Sequence, residues 1–300
     1  MSLKIITWNV NGIRSRIFNS QINSKLTKNH IFIPEENSSM QNLLKYDPDV
    51  ICIQETRTEK VIKIENYYEY FNSSKLDGAR SGNRYSGTAI YSKIKPNSVK
   101  YEIPGYSDKE GRIIILYFDE FILINVYTPN SGTNFDNRIK WNKAFLDFLT
   151  NVQVNIVFCG DLNVAYRPDD IHFNYKIGST YKTNTENIVG YLPEERSFIN
   201  ELLKLNYKDS YLECNMESFD KPDNFKGFTW WDPRAKKIKS EETDIEIGAL
   251  RYKNYGWRLD YLFVSNNINI LSCKVLKNIG EEYSPQGSDH APVLCEMIIH

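Results

Sequence analysis

The sequence predicts an α/β fold, with strands and helices layered in one domain spanning residues 1–300. Three observations carry this. Short apolar, β-branched runs recur along the whole chain. Two longer stretches repeat apolar residues at helical spacing. No Ser-, Gly- or Pro-rich linker and no internal repeat divides the sequence. With 41% hydrophobic residues, 300 residues supply enough apolar material for a sizeable core.

The expected strands are Leu3–Trp8, Val50–Ile53, Gly87–Tyr91, Ile113–Phe118, Phe121–Tyr127, Asn155–Cys159, Arg258–Val264, Ile270–Val275 and Val293–Ile299. Many alternate or are apolar throughout, as strands covered on one or both faces do. Phe135–Asn151 reads as a helix with Trp141, Phe145, Phe148 and Leu149 on one face. Pro193–Leu205 reads as a second. Pro193 suits a first turn, Glu194 and Glu195 suit the positive end, and Phe198, Ile199, Leu202 and Leu203 form the stripe. Residues 21–40 and 232–255 lack core periodicity and read as surface insertions.

Basic and acidic residues nearly balance, 37 against 38. That argues against a general nucleic-acid coat protein, which would be more basic, and leaves an enzyme open. There are five cysteines and no C-x-x-C. Cys52, Cys159 and Cys295 sit inside apolar runs and read as buried thiols. They suit a reducing, intracellular compartment, nucleus or cytoplasm. The N-terminus enters Leu3-Lys4-Ile5-Ile6 without a signal peptide, and no run approaches a membrane span.

Polar side chains gather at the ends of the apolar runs, where packing explains them poorly. Asn9 and Asn11 follow the first run. Two apart on a strand, they face one side, and Gly12 permits a turn beyond them. Glu55 ends the second run. A carboxylate there suits a hard cation such as Mg²⁺, which takes one or two protein carboxylates plus water and phosphate. Asp161 and Asn163 follow Ile156–Gly160, and an Asp beside an amide can orient and deprotonate a water for attack on phosphorus. His290, in Ser288-Asp289-His290, is one of only four histidines. It could bond a phosphate oxygen while Asp260, on a separate strand, fixes its ring. Tyr127 and Asn130 end another run, with a hydroxyl and an amide within reach of a phosphate. Trp230, Trp231 and Trp257 could stack on bases or line a pocket. Each feature alone is also explained by a turn, a surface charge or core packing. Their joint occurrence points to metal-assisted phosphodiester hydrolysis.

The motifs Asn9-Val10-Asn11-Gly12, Gln54-Glu55-Thr56, Tyr127-Thr128-Pro129-Asn130-Ser131-Gly132, Gly160-Asp161-Leu162-Asn163-Val164-Ala165, Leu192-Pro193-Glu194-Glu195-Arg196, Gly256-Trp257-Arg258-Leu259-Asp260-Tyr261 and Ser288-Asp289-His290-Ala291-Pro292 form an ordered series. That series resembles the exonuclease III family of abasic-site endonucleases, from residue 3 to about 298. The resemblance implies a four-layer sandwich, two mixed β-sheets packed face to face with helices outside, as in DNase I-like proteins. It implies Mg²⁺-dependent cleavage 5′ to abasic sites in duplex DNA, with Mn²⁺ as a substitute metal. The ends left are 3′-hydroxyl and 5′-deoxyribose phosphate, with some 3′-exonuclease or 3′-phosphodiesterase action. It implies a monomer and leaves protein partners unknown.

Carried over by motif, Glu55 and Asn11 belong to the metal cluster, with Asp289, Asp161 and Asn163 close by. Asn9 and Asn163 orient groups around the phosphate, and Asp161 is the base. His290, held by Asp260, contacts the scissile phosphate, and Tyr127 supports it. Trp230, Trp257 and Leu259 form the pocket for a flipped-out abasic sugar. Asn130, Arg138 and Asn187 contact DNA. Asn11 stands where some relatives carry Asp, and the two insertions are longer than the family's. No N-terminal tail precedes the catalytic motifs. The rival readings are another phosphoesterase of the wider superfamily, acting on an inositol phosphate or a sphingomyelin-like lipid, and a non-catalytic DNA-binding module.

Overall fold

The computed structural model describes residues 1–17, 38–59, 61–76, 85–172, 176–177, 180–181, 188–216, 226–234, 237–239, 246–277 and 288–300. Two large sheets dominate it. In chain order their strands are β1 (Ser2–Asn9), β2 (Val50–Gln54), β3 (Tyr68–Asn72), β4 (Thr88–Ser92), β5 (Ser98–Lys100) and β6 (Ile113–Tyr117). There follow β7 (Phe121–Tyr127), β8 (Asn155–Asp161), β9 (Tyr207–Asp209), β10 (Asp260–Ser265), β11 (Asn269–Val275) and β12 (Val293–Ile298).

The first sheet runs β11-β12-β1-β2-β4-β3 and the second β9-β10-β8-β7-β6-β5. Each has one parallel pair, β1 with β2 and β7 with β8, and is otherwise antiparallel. All nine apolar runs became strands. The strands missed by sequence, β3, β5 and β9, are short or partly exposed and lie at or beside sheet edges.

Side-chain alternation builds the layers. Leu3, Ile5, Val50 and Cys52 of the first sheet meet Leu123, Val157, Cys159 and Leu262 of the second in one core. Their neighbours point outward. Trp8, Ile51 and Ile53 pack on Met40 and Leu43 of the short helix Ser39–Leu44. Ile124, Phe158 and Phe263 pack on Trp141, Phe145, Phe198 and Leu202, from helices Phe135–Thr150 and Pro193–Lys204. The result is the helix–sheet–sheet–helix sandwich. Cys52, Cys159 and Cys295 are free buried thiols, as expected.

Buried polar groups sew the sheets together at one end. Gln54 Nε2 donates to Thr7 Oγ1 at 2.9 Å and to Asn125 Oδ1 at 2.7 Å, while Asn125 Nδ2 donates to the carbonyls of Ile53 and Ala89. The seam fixes the height of the strand ends that follow it, those of β1, β2 and β7.

Of the first expected insertion, only residues 38–40 lie within the described residues, and Met40 is core. The second is not a plain surface loop. It holds a two-stranded ribbon, Lys237–Lys239 against Glu246–Gly248, and the helix Ala249–Tyr252. Arg251 from that helix donates to the Ser288 carbonyl at 2.6 Å and stacks 4.7 Å from the Trp231 ring. Among the described residues no helix is long and apolar enough to cross a membrane.

Candidate active site

Register explains why the polar residues meet. Asp161 ends β8, between Tyr127 at the end of β7 and Asp260 at the start of β10. In the other sheet, Asn9 lies beside Gln54, and Glu55 follows it. Three of the turn residues, Asn11, Glu55 and Asn163, have φ near +50°. Asn tolerates that region; Glu does so at a cost, and such strain concentrates at functional sites.

Hydrogen bonds then fix the side chains. Asn9 Nδ2 donates to Glu55 Oε1 at 3.0 Å and to Asp161 Oδ2 at 2.9 Å. The Tyr127 hydroxyl donates to Glu55 Oε1 at 2.7 Å, and Arg57 Nε to Glu55 Oε2 at 2.9 Å. Asn11 Nδ2 donates to Asp289 Oδ1 at 2.9 Å, and the Trp230 indole to Asp289 Oδ2 at 3.0 Å. Ser288 Oγ donates to the Asn9 carbonyl at 2.7 Å and locks the His290 loop onto β1. Asn163 Nδ2 is anchored on the Thr128 carbonyl, and Asn130 Nδ2 donates to Asn163 Oδ1 at 3.2 Å.

The second group is a buried chain of His290 and two aspartates. His290 Nδ1 lies 2.7 Å from Asp260 Oδ2, and Nε2 lies 3.8 Å from Asp161 Oδ2. Burial works against a charged ring, but Asp260 and then Asp161 outweigh it and carry the His290 pKa up to about 10. Asp161 is pushed up to about 7, chiefly by burial, with His290 opposing and Asp260 adding repulsion. Burial also works against the Asp289 carboxylate, yet His290, Trp230 and Asn11 hold it below the usual range.

Among the described residues, Asp161, Asp260 and His290 place one donor atom each within 4.8 Å of one another. Asp260 is engaged by the His290 ring, so this chain is better suited to moving protons than to enclosing a cation. Glu55, with the Asn11 amide and Asp289 nearby, offers oxygen donors alone, which fits a hard cation such as Mg²⁺.

These groups face a cavity of about 580 Å³. Glu55, Tyr127, Asn130, Asp161, Asn163, Asp289 and His290 line its polar side, and Trp230, Trp257 and Leu259 its apolar side. The Trp230 and Trp257 rings stand perpendicular, 6.1 Å apart. Asn9 and Asp260 are buried behind it. A larger cleft of about 720 Å³, near Tyr166, Arg196 and Lys208, holds none of these residues.

One expected contact is overturned. Arg138 is 0% exposed, with Nη1 donating to the Pro129 carbonyl at 3.0 Å and Nε to Asn142 Oδ1 at 2.9 Å. It braces the loop from behind and presents nothing to a ligand. Asn187 lies outside the described residues. Sequence reasoning missed Arg57 and the wall residues Ile188–Gly190 at the cavity. It also missed Thr229, whose Oγ1 accepts from the amides of Leu259 and Asp260. Apart from Arg57, two residues after Glu55, no sequence signal marked them.

Residues 6–290 match the model of the endonuclease/exonuclease/phosphatase family. The chain belongs to that family. An exodeoxyribonuclease of Bacillus subtilis (strain 168) is 30% identical over 307 residues, covering 99% of this chain and all of that protein. A DNA-(apurinic or apyrimidinic site) endonuclease of Dictyostelium discoideum is 32% identical over 303 residues, covering 97% of this chain and 69% of that one. The solved structure of an AP endonuclease from Archaeoglobus fulgidus shares the fold, with a TM-score of 0.68 over 98% of each chain and 24% identity.

Proposed function

We propose that the chain is a DNA-repair nuclease that hydrolyses the phosphodiester 5′ to an abasic site in duplex DNA. The observation that carries this is one cavity with two characters. A carboxylate raised to about 7 and a histidine raised to about 10 face Trp230, Trp257 and Leu259 across it. The polar side suits phosphoryl chemistry. The apolar side suits a sugar without its base, and selects by shape against a full nucleotide. The names of the two relatives above favour this reading over a lipid or inositol-phosphate substrate.

Asp161 takes the proton of an attacking water, with a pKa close to neutral as a general base requires. Asn9 and the Asn163 amide hold that carboxylate, at 2.9 and 2.8 Å. His290, protonated and fixed through Nδ1 by Asp260, offers its Nε2 proton to a non-bridging phosphate oxygen as negative charge builds there. Asn130 and Asn163 position the phosphate. The water attacks in line and the 3′-oxygen departs. Glu55, Asn11 and Asp289 would hold Mg²⁺, which when bound supplies Lewis-acid stabilisation to the phosphate and leaving oxygen. Tyr127, through its hydroxyl on Glu55, keeps that carboxylate in place.

A duplex bearing one internal abasic analogue, incubated with and without Mg²⁺, tests the reading. A nick 5′ to the analogue, leaving a 3′-hydroxyl, is expected only with the metal. Cleavage of an inositol phosphate in place of the duplex would sink it.

A further inference from the structure

The Leu192–Arg196 segment takes no part in this chemistry, yet it buries a carboxylate behind the pocket. Glu195 is 0% exposed. Its Oε1 accepts from Ser131 Oγ at 2.5 Å, and its Oε2 from the amides of Gly190 at 2.8 Å and Leu192 at 2.9 Å. The Leu192 bond is ordinary capping by the third helical residue, and the helix start favours the charge. Capping does not require burial, which is costly for a carboxylate unless its lone pairs are filled. Here the remaining donors come from two separate loops, and both flank the cavity.

Gly190 forms one wall between Glu195 and Trp257. Its φ is +88°, and a Cβ there would come within 3.2 Å of a Trp257 ring carbon. Its carbonyl accepts from the Ala165 amide at 2.7 Å. Ser131 follows Asn130 in the adjoining wall, where a Cβ on Gly132 would come within 3.4 Å of the Val189 side chain. Arg138, the buried cation of the other outer helix, holds the Pro129 carbonyl of that same wall. Burial lowers the Arg138 pKa to about 10, with Glu195 the foremost negative charge opposing the shift. One buried charge from each helix therefore fixes the backbone around the pocket. A pocket that selects by shape discriminates only while its wall segments hold their positions.

We propose that Glu195 sets the shape of the sugar pocket's wall, and so determines preference for a baseless sugar, by tying the Ser131 loop to the Gly190 segment without touching the substrate. This rests on the abasic-pocket reading above. Glu195 is a positioning residue in that reaction.

Two variants test it. Glu195→Gln keeps the shape but turns an amide N–H₂ towards donors. Ser131→Ala removes one donor and leaves the carboxylate its two amide bonds. Each is compared with wild type on a duplex carrying one tetrahydrofuran abasic analogue and on the matching intact duplex, with amide hydrogen exchange followed at Gly190. In Glu195→Gln the ratio of kcat/KM, abasic over intact, is expected to fall about tenfold. The fall should come mainly through KM on the abasic duplex, with kcat little changed. Exchange at Gly190 should accelerate. Ser131→Ala should move the ratio in the same direction by less, and it decides the question if Glu195→Gln does not fold. A lowered melting temperature with equal loss on both substrates would reduce Glu195 to a packing role and overturn the inference. A wild-type chain without preference for the abasic duplex would refute the pocket reading, and the inference with it. A preference that survives both substitutions would refute the inference alone.

Discussion

The amide of Asn9 stands between Glu55 and Asp161, 3.0 Å from one carboxylate and 2.9 Å from the other. A single buried N–H₂ thereby spaces the proposed metal carboxylate from the proposed base. Asn9→Ala should lower single-turnover cleavage of abasic duplex by roughly 10²-fold, the scale for removing one organising donor. Asn9→Asp should be worse, since a third carboxylate would repel both neighbours. Near-wild-type cleavage in Asn9→Ala would remove the spacer role.

Glu55 is held by Tyr127, Asn9 and Arg57 at the mouth of β2. Glu55→Ala should lose most activity at low Mg²⁺ and recover part of it at high Mg²⁺, because the metal contributes several kcal/mol. A titration of rate against Mg²⁺ that matches wild type would exclude Glu55 from the metal shell.

Asp161→Asn keeps the shape and removes the proton acceptor. Turnover should fall by about 10²–10⁴-fold while duplex binding persists, as measured by single-turnover kinetics beside a binding titration. Cutting at the wild-type rate would show that another group is the base.

His290 gives the metal-free protein a pH-dependent stability. Its pKa rises from 6.5 to about 10 on folding. The folded ring therefore keeps a proton that the unfolded ring releases. The stabilisation is complete below pH 6.5 and is lost as pH rises through 10, a change on the order of a few kcal/mol. With a chelator present, the melting temperature of wild type should decline more steeply over that range than that of His290→Asn. Parallel slopes would show that the ring is neutral in the folded state.

Arg258 is 1% exposed and holds two buried carboxylates, Asp170 through Nε at 2.8 Å and Asp209 through Nη1 at 2.6 Å. Arg258→Met strands both. Breaking such a cluster from one side should cost about 3–5 kcal/mol, read as a lower urea midpoint. An unchanged midpoint would mean that the two aspartates find other partners or take up protons.

The strands were legible because their apolar runs are buried on one or both faces, and each keeps its pattern over four or more residues. β5 and β9 were not, since Ser98-Val99-Lys100 and Tyr207-Lys208-Asp209 carry too few apolar residues for any period. The polar residues at strand ends were legible for the converse reason: nothing in packing calls for Glu55 or His290 there. Arg138 was assigned to DNA by the family resemblance alone, and nothing in its own sequence context marked it as buried. Its burial depends on the carbonyl of Pro129 and the amide of Asn142 arriving together, which only the fold arranges. Glu195 was legible as an acid at the positive end of its helix, but its link to Ser131, 64 residues away, was not.

β12 is last in the chain but interior in its sheet, pairing with β1 on one side and β11 on the other. The loop just before it, through Ser288, reaches back 279 residues to Asn9. On the ribosome, β1 therefore emerges with an open edge that stays unpaired until β12 follows. A nascent chain already carries Glu55 and Asp161, but it acquires His290 only as that edge is about to close. A truncated product lacking β12 would leave β1 with an exposed edge, the kind of surface that chaperones and proteases engage. The order of translation thus brings His290 to the cavity after Glu55 and Asp161.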